Sequence, residues 1–365
     1  MNDEYRVSDA VVLKSVPKDA DENPYGITEV MSLQPGRPSV VMFGGEYTSM
    51  PLAANHYIKY MKNLLAENHI SDTDVDIFSA YYLWGSRHAD TERDQLFRDQ
   101  GRETHGLGWR TMLYRANKLQ AMNMHELMPR YIEVLFDVVV RPLILDKTGV
   151  RFDINTALSH VGRVWFYAHS HGAAVVYMLG EYMAKKMRQY KYSDAEIRRI
   201  QNAVCVVQHG PTAPLEHTRF KTLSFMSASD TVSNQRNIFY YRLNKYADCV
   251  GPMFINRWGM NLFVCGHLWD DKDMEHDDRG MLNADFRRLT PEGKIVIGAE
   301  RNAILNLIKR TVNGSATTQY AIADLVSGDG IDFQTLLMGG RNFYNNMYGD
   351  LHVKYPQNPK HGRQR

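Results

Sequence analysis

Short runs of apolar, largely β-branched and aromatic residues recur along the chain, at 39–43, 75–82, 163–169, 203–207, 221–226 and 261–265. Their composition marks them as strands buried on both faces rather than half-exposed ones. The segments between them have helical character. At 51–67, Leu52, Ala53, Tyr57, Ile58, Met61, Leu64 and Leu65 fall near helical spacing, and further helices are expected at about 124–145, 154–160, 172–188, 193–199 and 299–312. Ser193 and Asp194 suit a helix start, and Pro129 is tolerated because it lies near a first turn. Strands alternating with helices imply an α/β fold, with a mainly parallel central sheet and helices on both faces. Sheets of that kind carry their sites at the carboxyl ends of the strands.

The chain has 365 residues, 44% of them hydrophobic, which is enough for one large domain with insertions. The expected division is an N-terminal arm or edge hairpin over 1–38, the main domain over 39–312, and a C-terminal extension with a mobile tail over 313–365. Polar composition near 84–122 reads as an insertion. A second insertion is expected near 233–260, where Tyr240, Tyr241, Tyr246, Phe254 and Trp258 could form an apolar lid.

Charge excludes some partners. With 43 basic against 41 acidic residues, the net charge of +2 gives no reason to expect nucleic acid or an anionic membrane surface. Cys205, Cys249 and Cys265 are too few and too scattered for a disulfide framework, and no C-x-x-C pair suggests zinc. The polar N-terminus lacks the pattern of a signal peptide, and no apolar stretch reaches the length of a membrane span. A cytoplasmic location is the expectation, with export by a route that reads no such signal left open. Oligomeric state is not legible.

The segment Tyr167-Ala168-His169-Ser170-His171-Gly172-Ala173 stands where a strand gives way to a helix, and nearly matches G-x-S-x-G. A serine on so sharp a turn projects its hydroxyl, while the amide of His171 and the helix start face the same space. Ala168, Gly172 and Ala173 supply the small residues that such a turn demands.

A serine hydroxyl is a weak nucleophile and needs a base, which in turn needs a group to hold its tautomer. Asp230, in Ser227-Ala228-Ser229-Asp230-Thr231-Val232, follows an apolar strand and is the candidate acid. Two histidines compete for the base: His276, preferred narrowly on the loop Glu275-His276-Asp277-Asp278, and His267, immediately after the last core strand. For the oxyanion, whose donors are each worth about 3 kcal/mol of barrier, the candidates are the amides of Gly45, Glu46 and His171.

The elbow AHSHGA, the strand ending in Gly44-Gly45, the acid loop SASDTV and a late histidine together resemble the α/β-hydrolase superfamily, its lipases and esterases in particular. The resemblance spans roughly 39–312. It implies an eight-stranded core sheet, no cofactor, and a small-molecule ester, thioester or amide substrate. An aromatic lid would favour acyl or lipid-like esters. The expected function is therefore a serine esterase acting through Ser170, Asp230 and one of the two histidines. Other classes are a hydrolase-fold binding or scaffold module without chemistry, and an exported effector that cleaves lipids. No metal is expected: His169 and His171 flank a turn and point apart, and Asp271, Asp273, Glu275 and Asp277 read as a solvated acidic loop.

Overall fold

The computed structural model describes residues 12–18, 23, 25–45, 48, 51–81, 131–213, 218–227, 229–230, 233, 251–256, 259–270, 275, 286–314 and 321–331. The segment 84–122, Glu46, His276, Tyr240, Tyr241, Tyr246, Trp258, Cys249 and the C-terminal tail lie outside the described residues.

A nine-stranded sheet forms the centre, in the order β2-β1-β4-β3-β5-β6-β7-β9-β8. The parallel strands are β3 (Ser39–Phe43), β4 (Asp76–Ala80), β5 (Val164–His169), β6 (Cys205–His209), β7 (Lys221–Ser227) and β9 (Gly259–Cys265). Antiparallel strands close both edges. On one side β1 (Val12–Ser15) pairs with β4 and with β2 (Ile27–Val30). On the other, β8 (Gly251–Asn256) pairs with β9. Part of the stretch expected as an insertion near 233–260 is thus an edge strand.

Helices cover both faces. α1 (Pro51–Glu67), α6 (Pro291–Val312) and α7 (Ile322–Val326) pack with Val40, Met42, Trp165, Tyr167, Cys205 and Val207 on one side. A π-helical stretch (Phe136–Val140), α2 (Arg141–Ile144), α3 (Ile154–Val161), α4 (His171–Gln189) and α5 (Asp194–Ala203) pack with Val41, Phe43, Phe166, Ala168 and Val206 on the other. Successive residues of β3 and β5 enter opposite cores, as the period of two requires, and every residue of both strands is buried.

Helix starts follow from side-chain chemistry. Ser193 accepts the Glu196 amide while the Glu196 carboxylate accepts the Ser193 amide, a reciprocal cap on α5. Thr290 caps α6 with Pro291 in its first turn, so that helix begins well before the expected residue 299. No described helix is long and apolar enough to cross a membrane.

Because β3, β5, β6, β7 and β9 run parallel, their carboxyl ends share one edge of the sheet. That edge gathers Gly44-Gly45 after β3, Ser170 after β5, Ser229-Asp230 after β7 and His267 after β9.

Candidate active site

Ser170 occupies the junction of β5 and α4 with φ 51° and ψ −117°, a conformation that L residues rarely adopt. The backbone around it is held from several sides. Its N–H donates to the His209 carbonyl at 3.0 Å, and its own carbonyl accepts from Ala173 N at 3.1 Å and Thr212 Oγ1 at 3.1 Å. Gly172 makes the turn possible: a Cβ built there would lie 2.1 Å from the Phe43 carbonyl oxygen. The first turn of α4 therefore presses directly against the end of β3. Ser170 is 6% exposed, and His171 is also buried.

Gly45 lies against this turn. A Cβ on Gly45 would sit 3.0 Å from His169 Nδ1 and 3.5 Å from Ser170 Cβ, so the loop after β3 reaches the elbow because that residue is glycine. The Gly45 N–H donates to Tyr57 Oη at 3.0 Å, and the same hydroxyl lies 3.0 Å from His169 Nδ1. Of the three expected oxyanion donors, Gly45 and His171 are thus placed beside the serine, with the Gly45 amide engaged by Tyr57.

A second polar group underlies the elbow. His209, paired in register with His169, has Nδ1 2.8 Å from Glu300 Oε2, both side chains being 1% exposed. Tyr167 Oη donates to Glu300 Oε1 at 3.1 Å. The His169 and His209 rings are 6.2 Å apart. Polar groups from α1, β5, β6 and α6 thus meet beneath Ser170 inside an otherwise apolar core.

Asp230 is 1% exposed and sits just past β7. Its Oδ1 accepts the Ser233 amide at 3.0 Å and its Oδ2 accepts the Ser233 hydroxyl at 2.7 Å, the geometry of a capping aspartate. His267, with 30% of its side chain exposed, has Nδ1 2.7 Å from Ser229 Oγ and 3.4 Å from Glu275 Oε1. Ser229 and Ser227 both donate to the Gly266 carbonyl, which ties the acid loop to the turn that carries His267.

Glu275 departs from the expected solvated acidic loop. It is 3% exposed, and its carboxylate turns inward to accept the backbone amides of Leu268 at 3.0 Å and Trp269 at 3.5 Å. Burial pushes this carboxyl above the usual range, opposed by hydrogen bonds from Ser227, Leu268 and Trp269 and by the nearby His267. Residue composition could not single it out among its acidic neighbours. Tyr57, His209 and Glu300 were equally unmarked, being ordinary members of helix or strand patterns.

Cys205 and Cys265 are free and buried. Among the described residues no group of three or more His, Cys, Asp or Glu is placed to hold a metal ion. No known family model matches the chain, and no curated protein matches it.

Proposed function

We propose that the protein is a serine hydrolase of α/β-hydrolase type that cleaves a carboxylic ester through an acyl-enzyme. The observation that carries the reading is the backbone of Ser170, held at φ 51° and ψ −117° between a strand and a helix at the carboxyl edge of a parallel sheet. Chain order supports it: the serine follows β5, the acid loop follows β7 and His267 follows β9, the serine, acid, histidine sequence of such enzymes. Ser170 attacks the acyl carbonyl, and the imidazole of His276 or His267 takes its proton and returns one to the leaving alcohol. Asp230 or a neighbouring carboxylate steadies the imidazolium, and water releases the acid. The His171 amide, at the start of α4 and next in the chain after the serine, is the proposed oxyanion donor. An acyl or lipid-like ester is the proposed substrate class.

Two observations favour a second reading, a hydrolase-fold binding module without chemistry: Ser170 is buried, and the Gly45 amide is committed to Tyr57. A fluorophosphonate probe separates the two. Labelling of the folded protein that disappears in Ser170→Ala, together with hydrolysis of p-nitrophenyl acyl esters, is expected. Folded wild-type protein that neither labels nor hydrolyses any ester of the series overturns the enzyme reading in favour of the module.

A further inference from the structure

We infer that Glu275 is a positioning residue for His267 as the catalytic histidine, acting as a carboxylate clip on the turn that follows β9; this deepens the proposed function and rests on it. The clip has several contacts, all at one point of the fold. Glu275 Oε2 and Oε1 receive the amides of Leu268 and Trp269, the residues that immediately follow His267. Oε1 also lies 3.4 Å from His267 Nδ1. Ser227, at the end of β7, lies within hydrogen-bonding reach of the same carboxyl, and its hydroxyl also donates to the Gly266 carbonyl. The next residue in the chain is His276.

A carboxylate with these partners does two things. It fixes the backbone that follows His267 and places its charge 3.4 Å from the imidazole Nδ1, which is hydrogen-bonded at 2.7 Å to Ser229 Oγ, so that a proton kept at Nδ1 leaves Nε2 to act as base. Asp230, whose two oxygens both receive hydrogen bonds from Ser233, would then share its orienting role with a residue that the chain order of the triad does not point to.

The test compares wild type with Glu275→Gln, which keeps the shape but replaces one acceptor oxygen by an NH2 that faces donors. Two quantities are read. Fluorophosphonate inactivation, resolved into its limiting rate and its apparent binding constant, is expected to lose at least tenfold in rate while binding stays within about twofold; a merely structural defect would lower the labelled fraction along with the folded fraction and leave the rate of the folded protein unchanged. Amide hydrogen exchange at Leu268 and Trp269 is expected to quicken at least tenfold. Should Glu275→Gln fail to fold, Ser227→Ala removes the hydroxyl beside the same carboxyl and should shift both readouts in the same direction by less. Folded Glu275→Gln that inactivates at the wild-type rate overturns the positioning role and leaves the hydrolase reading intact. Wild-type protein that does not label overturns the hydrolase reading and the positioning role together, and the exchange rates then decide the clip alone.

Discussion

Gly172→Ala tests whether the elbow is built as its geometry implies. In an ordinary helix this substitution stabilises by about 1 kcal/mol, because alanine loses less backbone entropy than glycine. Here the new methyl would stand 2.1 Å from the Phe43 carbonyl oxygen, 2.6 Å from its carbon and 2.9 Å from the Gly44 carbonyl oxygen. Ordinary contact begins near 3.4 Å, so the start of α4 must retreat from β3 by about 1.3 Å. The atoms in the way are backbone of a buried central strand, and no rotamer change relieves them. Overpacking of this kind costs about 3 kcal/mol, which against the propensity gain leaves a net loss on the order of 2 kcal/mol. For a chain of 365 residues that is a fall in melting temperature of roughly 3 °C. On the proposed hydrolase reading, a displacement near 1 Å at Ser170 would also slow its labelling by about 100-fold. Gly180→Ala in the same helix is the control, since its methyl meets the side chains of Arg219 and Phe220 at 3.0–3.4 Å, which can give by a few tenths of an ångström. Thermal unfolding and fluorophosphonate labelling of both variants decide the matter: Gly172→Ala as stable and as reactive as Gly180→Ala would refute the close approach of α4 to β3.

Asp76 is buried, which pulls its pKa upward, but hydrogen bonds from Arg37 and Lys14 outweigh this and hold the carboxyl below its ordinary range. A depressed folded-state pKa contributes stability that is complete above the unfolded-state value and disappears as pH falls through the folded-state one. Asp76→Asn should therefore destabilise at neutral pH, on the order of 1–2 kcal/mol because both cations stay partly in solvent. In urea titrations its deficit should shrink as pH drops below about 4, and a deficit independent of pH would show that charge is not the cause. Burial pushes the Cys205 thiol up to about 12 and raises that of Cys265 well above its ordinary value. In a Cys249→Ser background neither should react with a thiol-disulfide reagent at neutral pH until the protein unfolds, and reaction of the native protein at the rate of a free thiol would contradict their burial.

The central strands were legible because both faces of the sheet are covered, which turns each strand into an unbroken apolar run. Ser39–Phe43 and Val164–His169 have no exposed residue to interrupt the pattern. The edge was harder to read. β8 contains Pro252, and its register with β9 shifts between Pro252 and Phe254, so neither propensity nor alternation distinguishes it from a loop. The elbow was legible for the opposite reason: its chemistry is local, with the serine, the small residues and the strand-to-helix change within a few positions. What supports the elbow is not local. Tyr57 reaches His169 across 112 residues and His209 reaches Glu300 across 91, and only the closed sheet brings them together. Glu275 was hidden differently, since in sequence it is one acid among several, and its inward turn meets the amides of Leu268 and Trp269 just past the end of β9.

Two serines at helix starts in this chain show what Ser170 is not there to do. Ser193 has the ordinary extended backbone of a helix cap, φ −70° and ψ 157°, and its hydroxyl accepts the Glu196 amide. Ser170 also stands at a helix N-terminus, yet its side chain makes no capping hydrogen bond and its backbone is held in a strained conformation worth about 1–3 kcal/mol. Capping therefore does not account for serine at this position, and a glycine would meet the backbone requirement without strain. The strain persists because the surroundings impose it. The His209 carbonyl takes the Ser170 amide, Ala173 and Thr212 hold its carbonyl, and the close approach at Gly172 leaves α4 nowhere else to begin. Beneath these contacts, Glu300 ties His209 and Tyr167 together, so the polar core under the turn is itself fixed to α6. These contacts fix where the Ser170 hydroxyl stands, at the edge where a parallel sheet gathers its loop residues, and the proposed hydrolase reading relies on that fixed position.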